Sequence, residues 1–122
     1  MAVPKPLIVV DPAIMGVGPI EAVRAVLRRA GVALGDVDVV ELNEAFASQV
    51  LVVAREIGID PYDDRFNPHG GAIAVGHPFG MSGARIMATL LNDLDACDGT
   101  LGLETMCVGG GQGQAMLVER LA

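Results

Sequence analysis

The sequence predicts an α/β fold built on a mixed sheet. Short apolar runs alternate with longer amphipathic segments along the 122 residues, an order typical of parallel strands joined by helical crossovers. The last two apolar runs are instead separated by a short glycine-rich stretch, which predicts an antiparallel hairpin. With 52% hydrophobic residues and no internal repeat, the chain can bury one core, and we expect a single domain.

The first half of the chain predicts strand, helix, strand and helix. The apolar run over residues 7–10 ends at an Asp-Pro pair and is expected to be a strand. Pro19 opens a helix whose apolar residues recur every three or four positions and which Gly31 stops. A strand over residues 36–42 follows. Asn43 is expected to cap the next helix.

The second half begins with a loop. Residues 60–71 are rich in Pro, Asp, Asn and Gly, and a loop of this length in a small domain usually has a function. Residues 72–75 are expected to form a short buried strand that Gly76-His77-Pro78 breaks. The remaining elements are a helix that begins near Met81 or Ser82 and the two strands of the hairpin, over residues 100–107 and 114–121.

Charge and composition exclude two classes of partner. Fifteen acidic against eight basic residues give a net charge of −7, the wrong sign for neutralising phosphates, so we expect no nucleic-acid partner. The apolar runs are far shorter than the roughly 20 residues that a bilayer span needs, so we expect no membrane partner. No signal-peptide pattern opens the chain, and two cysteines are too few for a disulfide framework. We therefore expect a cytoplasmic protein.

Three residues lie where chemistry could occur, and each also has an ordinary explanation. His77 is fixed between glycine and proline at the end of an apolar run, but a hydrogen-bonded core histidine would fit equally well. Cys107 ends a strand beside a glycine triplet whose N–H groups could stabilise a thiolate or an oxyanion, although a lone buried cysteine is usually inert. Asn43 follows a strand, and its ordinary role is a helix N-cap.

Other readings of these residues fail on spacing. The G-G-G-x-G run over residues 109–113 precedes a strand and not a helix, so it fits neither a dinucleotide fingerprint nor a Walker A loop. The two histidines and two cysteines lack the spacing of metal ligands, so we expect no metal. Core packing alone would explain Met15 and Phe46. Cys97 is expected to be an incidental thiol that is exposed or half-exposed.

Four sequence blocks together resemble the thiolase family, specifically its C-terminal domain. Asn43-Glu44-Ala45-Phe46-Ala47 is similar to the family's N-E-A-F block, and residues 70–85 (GGAIAVGHPFGMSGAR) are similar to its G-G-A-I-A-x-G-H-P block. Residues 107–113 are similar to its C-x-G-G-G block, and residues 15–19 (MGVGP) make a fourth. The resemblance implies a five-stranded mixed sheet with helices on both faces. It assigns residues 1–122 to the C-terminal domain.

The resemblance implies reversible Claisen chemistry on acyl-coenzyme A thioesters through an acylated cysteine, with coenzyme A or acyl-CoA as substrate and no permanently bound cofactor. Cys107 would be the acid/base. His77 would activate the nucleophilic cysteine and help hold the thioester oxygen, and Asn43 would hold a water in the same oxyanion site. Gly109 would contribute a backbone N–H to a second oxyanion hole. The positions that would line the acyl and pantetheine pocket are Met15, Ala45 and Phe46.

In this family the acylated cysteine belongs to the N-terminal domain, which these residues do not contain. We therefore expect half of an active site, inactive alone, that needs a thiolase N-terminal half on the same or a separate chain. Bare apolar surface is expected to make the chain a homo-oligomer. A non-catalytic binding or assembly module stays open, as does a self-sufficient cysteine hydrolase, although Cys107 lacks the helix start of such nucleophiles. His69, where many members have Asn, is interpreted as tolerated variation.

Overall fold

A mixed sheet forms the centre of the fold in the computed structural model, which describes residues 2–3 and 7–121. β1 (Ala2–Val3) and β2 (Leu7–Val9) both lie along β5 (Gln112–Glu119). β5 pairs with β4 (Leu101–Val108), which in turn pairs with β3 (Val39–Leu42). The β3–β4 pair is parallel and the other pairs are antiparallel, so the predicted mixed sheet and terminal hairpin are confirmed.

The sheet is four strands wide, and the five-stranded sheet implied by the resemblance is wrong. β1 and β2 share one edge of β5, with Val3 opposite Leu117 and Leu7 opposite Gln114, so together they fill one position across the sheet. Residues 72–75, expected to be a strand, form a helical turn instead. The sheet therefore lacks the strand that the sequence predicted there.

Helices cover both faces of the sheet, as the resemblance implies. The helices of the described segments are α1 (Gly18–Ala30), α2 (Ala47–Ile57), α3 (Ala72–Val75) and α4 (Phe79–Ala96). Two short 3-10 segments, Pro12–Val17 and Leu34–Asp36, precede α1 and β3. α1 and α2 pack on one face, and α4 packs on the other. No helix in residues 7–121 is long and apolar enough to span a membrane.

Glycine sets both ends of α1. Gly31 ends the helix with a φ of 68°, a left-handed conformation that glycine adopts without steric cost. At the other end, a Cβ on Gly113 would overlap the backbone of Gly18, so only glycine lets the start of α1 approach β5 this closely. This contact places the N-terminus of α1 beside the end of the hairpin.

Four predicted boundaries are wrong, and one of them is the last strand, which was expected over residues 114–121 and runs over Gln112–Glu119. The strand expected over residues 36–42 begins only at Val39, because the residues before it form the second 3-10 segment. Asn43 does not cap α2; the cap is Phe46 and the helix begins at Ala47, because the Asn43 amide is bonded elsewhere. α4 begins at Phe79, earlier than predicted, directly after Pro78.

The two faces of the sheet have different cores. Apolar side chains fill the face under α1 and α2, and its members that are 1% exposed or less are Ala22, Val23, Val26, Val37, Val40, Leu42, Val53, Ala54, Leu103 and Ala115. The face under α4 has a small apolar cluster of Val39, Leu90, Leu94 and Val118. Buried polar residues adjoin that cluster: Glu41, Ser82, Asp93 and Glu104.

Candidate active site

Asn43 and His77 meet at the carboxyl end of β3. Asn43 is fully buried, and its backbone N–H donates to the carbonyl of Thr105 at 3.0 Å, which extends the pairing with β4 by one residue. Its side-chain Nδ2 lies 3.2 Å from Nε2 of His77, which is in the link between α3 and α4. The structure therefore brings two of the predicted site residues into direct contact, although they are 34 positions apart.

Ser82 holds the other side of the imidazole. Its buried Oγ lies 2.6 Å from Nδ1 of His77 and 3.2 Å from the carbonyl oxygen of Pro78. A hydroxyl has one proton, and the carbonyl can only accept, so Ser82 donates to Pro78 and accepts from the Nδ1–H of His77. Nε2 then carries the ring's unprotonated lone pair, which accepts from the Asn43 amide. This network assigns His77 the tautomer in which Nε2 can act as a base.

Glu44 anchors the turn that precedes His77. Its Oε2 accepts from the backbone N–H of Ile73 at 3.0 Å, and its Oε1 accepts from Nδ2 of Asn67 at 3.2 Å. A Cβ on Gly71 would overlap the Glu44 carboxylate, so glycine makes this approach possible. The carboxylate satisfies an N–H at the start of α3, which is a reason for these residues to form a helical turn rather than the predicted strand.

Asn67 fastens the loop of residues 60–71 to the end of β3. Its Oδ1 accepts from the N–H of Leu42 at 2.8 Å, and its Nδ2 donates to the carbonyl of the same residue at 3.0 Å. Asn67 has a φ of 45°, in the left-handed region that asparagine tolerates better than most residues. The loop thus holds the strand end that carries Asn43.

Cys107 lies on the neighbouring strand. It is buried near the carboxyl end of β4, opposite Gly113, on the face that packs against α1. No hydrogen bond between described residues joins its thiol to Asn43 or His77. Burial raises the pKa of the thiol, and the opposing effect of its own backbone group is smaller. The thiol is therefore protonated at neutral pH, and the stabilisation expected from the neighbouring backbone does not lower its pKa.

The hairpin turn after Cys107 consists of glycines. Gly110 and Gly111 have φ values of 78° and 81°, which favour glycine. Gly109 is exposed, and a Cβ there would have no neighbour within 4 Å. The backbone of the turn is therefore accessible to solvent at Gly109.

Exposed apolar side chains flank the site. Phe46 is 63% exposed, so core packing does not explain it, whereas Met15 and Ala45 are half-buried. The Phe79 ring packs edge-on against His77, with the ring centroids 5.0 Å apart. Three further exposed apolar residues lie near His77 along the chain: Ile73, Val75 and Met81.

The protein family to which this arrangement of residues belongs is known from a match to a family model. The family model described as "Thiolase, C-terminal domain" matches residues 6–120. The chain belongs to the thiolase family. As a thiolase C-terminal domain, it pairs Asn43 of the N-E-A-F block with His77 of the G-H-P block.

Full-length relatives of this thiolase domain are much longer. It is 56% identical over 112 residues to the beta-ketoadipyl-CoA thiolase of Pseudomonas putida. It is 54% identical over 112 residues to the acetyl-CoA acetyltransferase of Escherichia coli (strain K12). The beta-ketoadipyl-CoA thiolase of Pseudomonas aeruginosa is 55% identical over the same length. Each match covers 92% of this chain and 28% of the relative.

Three residues that support the site of this thiolase domain were not predicted from the sequence. Ser82 bonds to His77, Asn67 bonds to the backbone of Leu42 beside Asn43, and Glu44 bonds to the helical turn that precedes His77. The sequence could have indicated Ser82, because a serine four positions before Ile86 falls on the apolar face of α4. No local sequence pattern indicates Glu44 or Asn67, because their hydrogen-bond partners lie 29 and 25 positions away.

Within the described residues, the remaining cysteine and the acidic groups provide no metal centre. Cys97 is exposed, as predicted, at the end of α4. Across residues 7–121, no group of three or more His, Cys, Asp or Glu side chains is arranged to hold a metal ion.

Proposed function

We propose that this chain supplies the C-terminal part of the active site of an acyl-CoA C-acyltransferase, which catalyses reversible Claisen condensation and thiolysis of 3-ketoacyl-CoA. The observation that carries the proposal is the fixed imidazole of His77, held between Ser82 and Asn43 in a member of the thiolase family. Acyl-CoA is the substrate. Side chains perform the proton transfers and backbone N–H groups stabilise the oxyanion, so the reaction needs no permanently bound cofactor.

In this proposal His77 activates a nucleophilic cysteine of the N-terminal domain. Its Nε2 accepts the thiol proton in place of the hydrogen bond from the Asn43 amide, because the proton of the neutral ring is on Nδ1. The protonated ring then has an Nε2–H that donates to the thioester oxygen. Asn43 contributes through a water: its Oδ1 is buried and has no hydrogen-bond partner among the residues the structure describes, so it is free to accept from one.

Cys107 is the proposed acid/base. A thiol that is protonated at rest can give its proton to the α-carbon of the acetyl-CoA enolate when a 3-ketoacyl-CoA is cleaved. The thiolate that remains then takes the proton of the incoming coenzyme A thiol. In condensation Cys107 first gives its proton to the coenzyme A thiolate that leaves on formation of the acyl-enzyme. The Cys107 thiolate that remains then removes the α-proton of acetyl-CoA. The raised pKa of Cys107 therefore fits a group that begins thiolysis as an acid and becomes a base one step later.

The open turn and the exposed apolar residues have their own proposed roles. Gly109 donates its backbone N–H to the carbonyl oxygen of the acyl-enzyme, at a place where no side chain obstructs the approach. The proposed lining of the acyl and pantetheine pocket is Met15, Ala45 and Phe46. An exposed aromatic ring suits the apolar parts of such a substrate.

The nucleophile comes, in this proposal, from an N-terminal thiolase domain on the same or a separate chain, with residues 1–122 as the C-terminal domain. Cys97 does not serve, because it is at the far end of α4 from His77. Phe46, Ile73 and Phe79 are exposed apolar residues that such a partner would cover. Coenzyme A as co-substrate and two free cysteines suit a cytoplasmic compartment that keeps thiols reduced.

The role of Cys107 can be tested in an enzyme reconstituted from this chain and the N-terminal domain of a relative. Thiolysis of acetoacetyl-CoA and of 3-ketoadipyl-CoA is followed by loss of the substrate absorbance. Cys107→Ala should lower kcat by roughly 10²- to 10⁴-fold, the usual contribution of a general acid/base. Cys97→Ala is the matched control and should leave kcat unchanged, because that thiol is exposed and outside the site. An unchanged rate in Cys107→Ala would contradict the assigned role.

A further inference from the structure

The segment from His77 to Ser82 forms a closed hydrogen-bonded loop at the start of α4. Pro78 is the N-cap of this helix, and its carbonyl accepts from the backbone N–H of Ser82 at 3.1 Å and from the Ser82 hydroxyl at 3.2 Å. The same hydroxyl lies 2.6 Å from Nδ1 of His77. One helical turn separates Pro78 from Ser82, so the spacing His-Pro-x-x-x-Ser brings one hydroxyl to both partners.

Ser82 and Asn43 differ in how far they restrict the proton of the His77 ring. Asn43 has a donor at Nδ2 and an acceptor at Oδ1, and its buried Oδ1 has no hydrogen-bond partner among the described residues. A half-turn of this amide would let it pair with either tautomer of the ring. The single proton of Ser82 is instead used in the bond to Pro78, so its oxygen accepts from Nδ1–H. Ser82 is therefore the neighbour that determines the tautomer.

Burial makes this hydrogen bond hard to replace. Ser82 is 1% exposed, so a methyl group in place of its hydroxyl would leave the Nδ1–H of His77 without that acceptor and out of reach of water. The ring can avoid this cost by moving its proton to Nε2, because the unpartnered Oδ1 of Asn43 can turn to accept from Nε2–H. A ring that already has a proton on Nε2 cannot take the proton of a thiol there.

We propose that Ser82 is a positioning residue that keeps the proton of the neutral His77 ring on Nδ1, so that Nε2 can take the proton of the nucleophilic cysteine. Ser82 accepts from Nδ1–H in the neutral ring and in the protonated ring alike, so this side of the network does not rearrange during the transfer. The inference rests on the proposed function for its effect on turnover. The tautomer itself is a property of this chain and can be observed without an N-terminal domain.

The other histidine of the chain provides an internal control. Nδ1 of His69 lies 2.6 Å from Oδ1 of Asp93, whose side chain is 4% exposed. A carboxylate only accepts, so His69 is also expected to carry its proton on Nδ1, and this bond does not involve Ser82. His69, interpreted from the sequence as tolerated variation, therefore has a defined partner in the fold.

The test is nitrogen-15 nuclear magnetic resonance of the 122-residue chain with labelled histidine, at alkaline pH, where histidine rings are neutral. Couplings to the ring protons identify the nitrogen that carries the proton, and His69→Asn assigns the two sets of signals. Both wild-type rings should be protonated on Nδ1. In Ser82→Ala the tautomer ratio of His77 should change by roughly 10- to 10²-fold in favour of Nε2, the effect of one lost buried hydrogen bond, while His69 stays unchanged. Ser48→Ala removes an exposed hydroxyl from α2 and should leave both rings unchanged.

Two results would overturn the inference. His77 could carry its proton on Nε2 in the wild-type chain, a measurement that needs no variant and decides the matter even if Ser82→Ala does not fold. The proton could also stay on Nδ1 in a folded Ser82→Ala chain. In reconstituted enzyme, kcat of Ser82→Ala should fall in proportion to the loss of rings protonated on Nδ1, while KM stays constant. An inactive wild-type enzyme would instead count against the proposed function.

Discussion

The two faces of this sheet differ in what they bury. Under α1 and α2 the buried residues are almost all apolar, and Val40, Leu42 and Leu103 have no exposed surface. Under α4 the sheet buries Glu41 and Glu104 beside a smaller apolar cluster. Buried apolar area stabilises a fold, whereas buried polar groups cost free energy unless they are paired. One face therefore stabilises the domain, and the other positions the site.

The candidate site lies at the carboxyl ends of β3 and β4, and both faces of the sheet contribute residues to it. Asn43 and His77 lie on the side of α4, and their contacts lead to Ser82 and the buried acids. Cys107 lies at the end of β4 on the apolar side, and its surroundings raise the pKa of its thiol by removing water. The same sheet thus gives two site groups opposite environments: a hydrogen-bonded imidazole and a desolvated thiol.

The largest expected effect is on the apolar face. Leu42→Ala removes a fully buried side chain from the α1 and α2 core, and we expect it to lower the free energy of unfolding by about 2–5 kcal/mol. Urea unfolding of the 122-residue chain measures this. Leu91→Ala makes the same chemical change at a half-exposed position on α4 and should cost much less. Equal losses of unfolding free energy in the two variants would contradict the claim that the core under α1 and α2 stabilises the domain.

The next effect is a decrease in kcat and involves the residues on the polar face of the sheet. His77→Ala in the reconstituted enzyme should lower kcat at least 10²- to 10³-fold, the usual loss for one oxyanion donor, because the base is lost as well. Asn43→Ala should lower kcat less, since Asn43 is proposed to act through a water. Urea unfolding should change little in His77→Ala, because the ring is only partly buried. A His77→Ala enzyme that keeps a tenth of the wild-type kcat would contradict the assigned role.

The smallest effect for a change of one pH unit is on the pH dependence of stability. The folded chain holds the Glu41 proton with a pKa of about 8, above its ordinary value of 4.5. Its contribution to stability is therefore complete below pH 4.5 and is lost as the pH rises through 8. Between pH 5.5 and 8 the free energy of unfolding should fall by at most about 1.4 kcal/mol per pH unit. Glu41→Gln should flatten this fall, and a wild-type stability that rises with pH would be contrary to the prediction.

The elements predicted best are those whose ends depend on local chemistry. Gly31 and Gly58 end α1 and α2 with φ values of 68° and 88°, and the sequence alone indicates both ends. The wrong predictions involve distant partners. Asn43 resembles an N-cap until His77 occupies its amide, and residues 72–75 resemble a strand until the Glu44 carboxylate satisfies Ile73. Short local patterns contain no information about such contacts.

The candidate site was only partly accessible from the sequence, for the same reason. The sequence blocks indicate Asn43, His77 and Cys107 because the types of residue and their order suffice. The pKa of Cys107 depends on burial, which a glycine-rich neighbourhood does not reveal. The buried contacts between Glu41, Arg85 and Asp93 depend on how α4 lies across β3, which no local pattern specifies.

The central claim is that this domain holds one part of a shared active site, and thiolysis of acetoacetyl-CoA tests it most directly. The rate is measured with the 122-residue chain alone, with an N-terminal thiolase domain alone, and with the two mixed. The 122-residue chain lacks the nucleophilic cysteine and cannot form an acyl-enzyme, and the N-terminal domain lacks the His77 and Cys107 groups. Neither domain alone should therefore show detectable turnover, and the mixture should. Turnover of the substrate by the 122-residue chain on its own would contradict the claim.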